Sequence, residues 1–194
     1  LLAFVRDLPD IETLRDLPAA YAPSVATTRL YAYDAPAADG LRPPVLIDEI
    51  TDPRLGGAGW LAYDDLPPAV ISATLAAADP AYFDRPPLDL PAAAAEWART
   101  GVVTQAQSPL LAELVAAHLR PEDPPLQDWF LGWQIERRFG REQVLEWTLN
   151  TTYYGHLAYG IEAAARLYFG VGATELTPAE AALLAAVGRD PTAN

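Results

Sequence analysis

In the last third of the chain, apolar positions recur at the helical period and turn residues separate the runs. Leu126, Trp129, Phe130 and Trp133 fall at i, i+3, i+4 and i+7, which predicts a helix with one apolar face. Gly140 then stands where a left-handed terminating residue is wanted. Arg141–Asn150 reads as a second helix, with Val144, Leu145, Thr148 and Leu149 facing inward and Asn150 placed to end it. Gly160 to Phe169 is a third, closed by Gly170. A fourth opens at Thr177-Pro178-Ala179-Glu180, where a Thr N-cap, a Pro at the first helical position and a Glu three residues after the cap make a capping box. Gly188 is placed to close it.

Upstream the pattern is mixed. Asp10 is positioned to cap a short helix through Arg15, Thr28–Asp34 alternates like a strand, and Val45–Ile50 is a second strand candidate. Pro, Gly, Ala and Asp cluster in Ala35–Pro44 and Thr51–Gly59, which read as turns. From Leu66 the period is helical, with Pro67 and Pro68 at the start, Val70, Ile71, Thr74 and Leu75 on one face, and a stop near Asp79-Pro80. Further helices are expected from Pro91 to Arg99, ended by Gly101, and from Ser108 as N-cap to Leu119. The expected fold is mostly α: a small N-terminal α/β lobe over 1–60, then a helical domain over 61–194.

Composition narrows the chemistry. The 26 acidic residues against 13 basic ones give a net charge of -13, which argues against nucleic acid or an anionic membrane surface as a partner through bulk electrostatics. Every cation is Arg, and Lys, Cys and Met are absent, so disulfides and thiolate metal sites are excluded. A chain without an initiator Met is expected to be a fragment, and a GC-rich coding bias accounts for the missing residue types. No segment reaches the roughly 18–20 apolar residues of a membrane span. Leu1–Val5 reads equally as the tail of such a span or as an ordinary apolar terminus. With no Cys, and with His118 and His156 lacking an evident partner, catalysis would fall to carboxylates.

The helical third also carries a family pattern. Arg141-x-x-Val144-Leu145-Glu146-x-Thr148-Leu149-Asn150, then Tyr154-Gly155-x-x-Ala158-Tyr159-Gly160-Ile161-Glu162-Ala163-Ala164-Ala165-x-x-Tyr168-Phe169-Gly170, then Leu176-Thr177-x-Ala179-Glu180-Ala181-Ala182-Leu183-Leu184-Ala185, resembles the peptidoglycan glycosyltransferase family. This is the polymerising domain of class A penicillin-binding proteins and of monofunctional transglycosylases. The resemblance implies a lysozyme-like helical glycosyltransferase fold. It also implies lipid II or a peptidoglycan glycan strand as partner, beside other cell-wall synthesis proteins. The expected location is the extracytoplasmic face of the bacterial cytoplasmic membrane, held by an N-terminal anchor, with a divalent metal (Mg²⁺ or Mn²⁺) as cofactor.

In the family, a motif Glu-Asp-x-x-Phe-x-x-His-x-Gly-x-Asp supplies the Glu that takes a proton from the acceptor hydroxyl. Its match here is Ala78-Asp79-Pro80-Ala81-Tyr82-Phe83-Asp84-Arg85-Pro86-Pro87-Leu88-Asp89, so the base position holds Ala78. Loss of a general base typically costs about a hundred- to ten-thousand-fold in rate. Asp79 is adjacent, yet one step along a helix turns a side chain by roughly 100°. A Gly-Gly-Ser-Thr-Ile-Thr-Gln-Gln stretch falls near Gly101–Ser108 and keeps Thr104 and Gln107, while its following Lys-Asn pair falls at Leu111 and Ala112. An Arg-Lys-x-x-Glu motif falls at Pro124–Asp128, so both cations are replaced and the acidic position is Asp128.

By this resemblance Asp79 and Asp128 are the candidate catalytic carboxylates, and Arg85, Gln107, Arg138, Arg141, Tyr153 and Tyr154 the candidate substrate-binding residues. Each has a plainer reading. Asp79 and Asp128 suit helix ends, and Arg138 and Arg141 suit a solvated face beside Glu136, Glu142 and Glu146. Trp129, Phe130 and Trp133 suit a packed core. Glu146 and Asn150 match family positions that hold the loop carrying Tyr153 and Tyr154. Two functions follow: a glycosyltransferase-family domain with weakened catalysis, or a pseudoenzyme kept for binding or scaffolding. A lysozyme-type hydrolase using Asp79 and Asp128 stands third.

Overall fold

A computed structural model describes residues 8–21, 27–32, 45–51, 59–86, 89–101, 107–119 and 125–191. Leu1–Val5, the expected loop 35–44, most of that at 51–59, Thr104, and the side chains of 125–128 lie outside the described residues. A 3₁₀ segment Ile11–Asp16 runs into α1 (Leu17–Ala20). Strands β1 (Thr27–Ala32) and β2 (Val45–Thr51) follow, then helices α2 (Pro68–Ala78), α3 (Leu90–Thr100), α4 (Pro109–His118), α5 (Pro125–Phe139), α6 (Arg141–Thr151), α7 (Ile161–Phe169) and α8 (Pro178–Arg189). The strands form an antiparallel ribbon, Thr27 opposite Thr51 and Ala32 opposite Val45, with one irregularity between Leu30 and Tyr31.

The mostly α architecture is the one expected, and the start signals at Ser108 and Thr177 sit where the sequence places them, while α3 begins one residue before the expected Pro91 with Asp89 as its cap. Asp89 accepts from the Ala92 amide at 3.0 Å and Ser108 from the Leu111 amide at 3.4 Å. At α8 the Thr177 hydroxyl accepts from the Glu180 amide while the Glu180 carboxylate accepts from the Thr177 amide at 2.8 Å. These bonds satisfy amides that an open helix end leaves without partners. Gly188 does not close α8, which continues through Arg189. A Cβ at position 188 would lie 3.0 Å from the Tyr154 ring, so this glycine serves close packing and not termination.

Helix α6 is the centre of the core. Val144, Leu145, Trp147 and Leu149 are all buried, and α4, α5 and α7 pack around it. Its buried hydroxyls bond back to the preceding turn: Thr148 donates to the Val144 carbonyl and Thr151 to the Trp147 carbonyl, both at 2.8 Å. Helix α2 packs along α8. Leu14 and Leu17, from the segment before the ribbon, are buried in this same core.

The inward face of α5 differs from the expected one. Leu131 and Ile135 are fully buried, whereas Trp129, Phe130 and Trp133 are half-buried. Gly132 explains the rotation: a Cβ there would fall 1.8 Å from the Gln107 amide nitrogen and 3.1 Å from Leu111, so α5 meets α4 along its slimmest row. The displaced aromatics pair with each other, Phe130 stacking on Trp133 at 5.8 Å and Arg137 lying over Trp133 at 5.3 Å.

His118 ends α4 with its Nε2 buried and without a hydrogen-bond partner among the described residues, its ring edge-on to Tyr21 at 6.1 Å. Burial lowers its pKa below the ordinary 6.5. The fold therefore holds the neutral ring, while the unfolded chain takes up a proton near pH 6.5. Its contribution is fully present above that pH and is lost as pH falls toward the depressed folded value. A urea midpoint that drops between pH 7.5 and 5.5, by less in His118→Gln, is the expected result; an equal drop in the variant would exclude this source.

Candidate functional site

The turn that follows α2 is organised by charge. Asp79 caps α2 through its amide, which donates to the Leu75 carbonyl at 2.9 Å, and its side chain is 2% exposed. One carboxylate oxygen pairs with the Arg85 guanidinium, and the other accepts no hydrogen bond among the described residues. From the far side Arg141 donates to the Phe83 carbonyl at 2.8 Å and the Arg85 carbonyl at 2.7 Å, and its Nε lies 3.6 Å from Glu136. The Tyr82 phenol donates back to the Arg141 carbonyl at 2.8 Å. Burial pushes the Tyr82 phenol up. Glu136 is also pushed up by burial, with Arg141 opposing the shift. Two carboxylate–guanidinium pairs, Asp79–Arg85 and Glu136–Arg141, thus share a half-buried cluster, and each pairing limits the desolvation cost of its charges.

Position 78, the last of α2, is half-buried, and its carbonyl accepts from Arg189 at the end of α8 at 3.4 Å. Glu113 on α4 feels the same Arg189: burial pushes its carboxyl up and the cation opposes this. A guanidinium therefore lies against the backbone carbonyl of residue 78.

A second polar group anchors the 59–63 segment. Asn150 accepts from the Leu61 amide at 3.0 Å and donates to the Leu61 carbonyl at 2.8 Å. Glu146 accepts from the Trp60 indole at 2.8 Å and the Tyr63 amide at 2.9 Å. These two residues hold a segment far upstream and not the loop after Asn150. Trp60, Tyr21, Tyr159, Gly160 and Glu162 line a shallow cleft beside them. Gly160 has φ +85°, and a Cβ there would fall 2.6 Å from the Asn150 carbonyl oxygen.

The remaining candidates are dispersed. Asp128 lies in the first turn of α5, its side chain outside the described residues. Gln107 is half-buried over Gly132. Arg138 pairs with Glu12 at 2.8 Å and lies over Phe139. Tyr153 bridges to Tyr159, their rings 4.8 Å apart. Tyr154 is 2% exposed, so its ring packs in the core, and burial pushes its phenol up. Its carbonyl accepts from Tyr168 at 2.7 Å. Arg141 faces Glu136 as the sequence allows, but with side chains only 19% and 14% exposed the pair is not a solvated face.

Sequence reasoning missed Arg189 as a member of this region and gave Tyr82 and Glu136 no role in holding the turn. Glu136 carries a faint signal, an acid one turn beyond Trp133 on a helix whose basic residues follow it; Arg189 carries none. Among the described residues no group of three or more His, Asp or Glu is arranged to hold a metal ion. Asp79 and Glu136 each face a guanidinium, a pairing that disfavours Mg²⁺ or Mn²⁺ at these two carboxylates. No described helix is long and apolar enough to cross a membrane.

The mostly α scaffold is consistent with a domain of the transglycosylase class. The family model described as Transglycosylase matches residues 49–194, and the chain belongs to that family. It is 35% identical over 140 residues to penicillin-binding protein 2D of Bacillus subtilis (strain 168), covering 69% of this chain and 20% of that protein. It is 34% identical over 139 residues to penicillin-binding protein 1A of Aquifex aeolicus (strain VF5), covering 68% and 19%. Penicillin-binding protein 1A of Rickettsia felis is 29% identical over 208 residues, covering 97% of this chain and 23% of that protein. The chain thus spans about a fifth of the length of these relatives.

Proposed function

We propose that this domain binds lipid II or a growing peptidoglycan strand at the extracytoplasmic face of the bacterial cytoplasmic membrane, beside other wall-assembly proteins, and polymerises glycan slowly. The family match carries the reading, because it spans every helix from α2 to α8. Slowness follows from Ala78, which accepts no proton. In this reading Asp79 and Asp128 are the remaining acidic positions of the site, with Arg85 and Tyr153 at its edge. A binding module without catalysis is the second reading, and it is favoured by one observation: Arg138 and Arg141 direct their guanidiniums at protein groups.

The test is lipid II binding and polymerisation by the membrane-anchored protein with Mg²⁺ or Mn²⁺ present. The expected result is saturable binding with slow product. Binding without product selects the second reading, and absence of binding overturns both.

A further inference from the structure

Arg141 is the first residue of α6, where helix electrostatics favour an acid over a cation. Its side chain is nevertheless withdrawn from solvent, at 19% exposed, and each part of the guanidinium faces a protein group. Nη1 and Nη2 reach the Phe83 and Arg85 carbonyls, and Nε faces Glu136. The buried Tyr82 hydroxyl returns a bond to the Arg141 carbonyl. The turn and the α5–α6 junction are therefore joined in both directions, across 56 to 59 residues of sequence. A planar fork spans two carbonyls two residues apart; an ammonium, a point donor on a flexible stem, does not hold both in one geometry.

We propose that Arg141 is a positioning residue for ligand binding. It sets the 79–86 turn, and with it the Asp79–Arg85 pair beside position 78, and it does not itself contact a substrate phosphate. This rests on the reading above that the domain binds a lipid-linked pyrophosphoryl glycan. Tyr82 provides the independent handle: it is uncharged and 2% exposed, so it touches no ligand, yet it closes the same junction.

The experiment measures lipid II affinity over a range of salt concentrations for the unmodified chain, Arg141→Gln, Arg141→Lys, Tyr82→Phe and the Arg141→Gln/Tyr82→Phe double variant. The expected outcome is that each single variant weakens binding by about tenfold, that the double variant loses little more than the stronger single, and that salt dependence stays unchanged. A direct phosphate contact predicts otherwise: Arg141→Lys retains affinity, Arg141→Gln flattens the salt dependence, and Tyr82→Phe binds normally. That pattern overturns the proposal. Should Arg141→Gln melt below the assay temperature, Tyr82→Phe decides alone, with undiminished binding overturning it. Absence of binding by the unmodified chain overturns the functional reading and this inference together, whereas normal binding by the variants overturns only the inference.

Discussion

Ala78→Glu is expected to polymerise lipid II about 10²- to 10⁴-fold faster than the unmodified chain, the range a positioned general base contributes. Position 78 ends α2 directly before the Asp79–Arg85 pair, so its side chain leaves from a turn that Arg141 and Tyr82 already hold. Arg189, bonded to the Ala78 carbonyl, lies close enough to meet a carboxylate there. That cation favours the charged form of the new Glu, while the helix C-terminus disfavours it, so the two influences oppose. The measurement is glycan chain formation from labelled lipid II, read beside the melting temperature of the variant. A folded Ala78→Glu protein with no gain in rate would mean that the missing cations around Pro124 and Leu111, and not the missing base, limit the reaction.

The second large effect is on stability. Asn150→Ala is expected to lower the melting temperature by about 6–12 °C, from a loss of roughly 3 kcal/mol at 2–4 °C per kcal/mol for a chain of this size. Asn150 is 5% exposed and makes three hydrogen bonds, two to Leu61 and one to the Glu146 carbonyl at 2.8 Å. Truncation strands the Leu61 amide and carbonyl at the edge of the core, and a polar group left unmet there costs more than a bond normally contributes. Glu146 holds the same segment through Trp60 and Tyr63, so a Glu146→Gln/Asn150→Ala cycle should be non-additive. Thermal unfolding of the three variants measures this. A shift below about 2 °C for Asn150→Ala would show that the 59–63 segment contributes little to folding.

Much of the secondary structure was readable because its signals are local. The Thr177–Glu180 box, the Ser108 cap and the Gly170 terminator act within four residues, so the sequence carries their complete physics. The inward face of α6 was equally readable, since Val144, Leu145, Thr148 and Leu149 are all buried. The α5 face was not. Counting apolar residues selects the aromatic row, but Gly132 lets α4 approach a different row, and that choice depends on a neighbour's shape. The candidate site was legible only in part for a related reason: family motifs locate Asp79, Arg85 and Ala78 in the chain, and say nothing about which groups pack against them.

By itself, then, the sequence determined the helices, most of their ends and the family, because each is written in nearby residues or in an ordered run of matches. Only the tertiary structure decided where the charges go. It turned Arg141 inward onto the 79–86 turn with Glu136 against it, aimed Glu146 and Asn150 at residues 83 to 89 positions upstream, and set Arg189 against Ala78. A buried polar group must find a partner wherever packing brings one within about 3 Å. That partner is chosen by the chain's path through space, which no local spacing encodes.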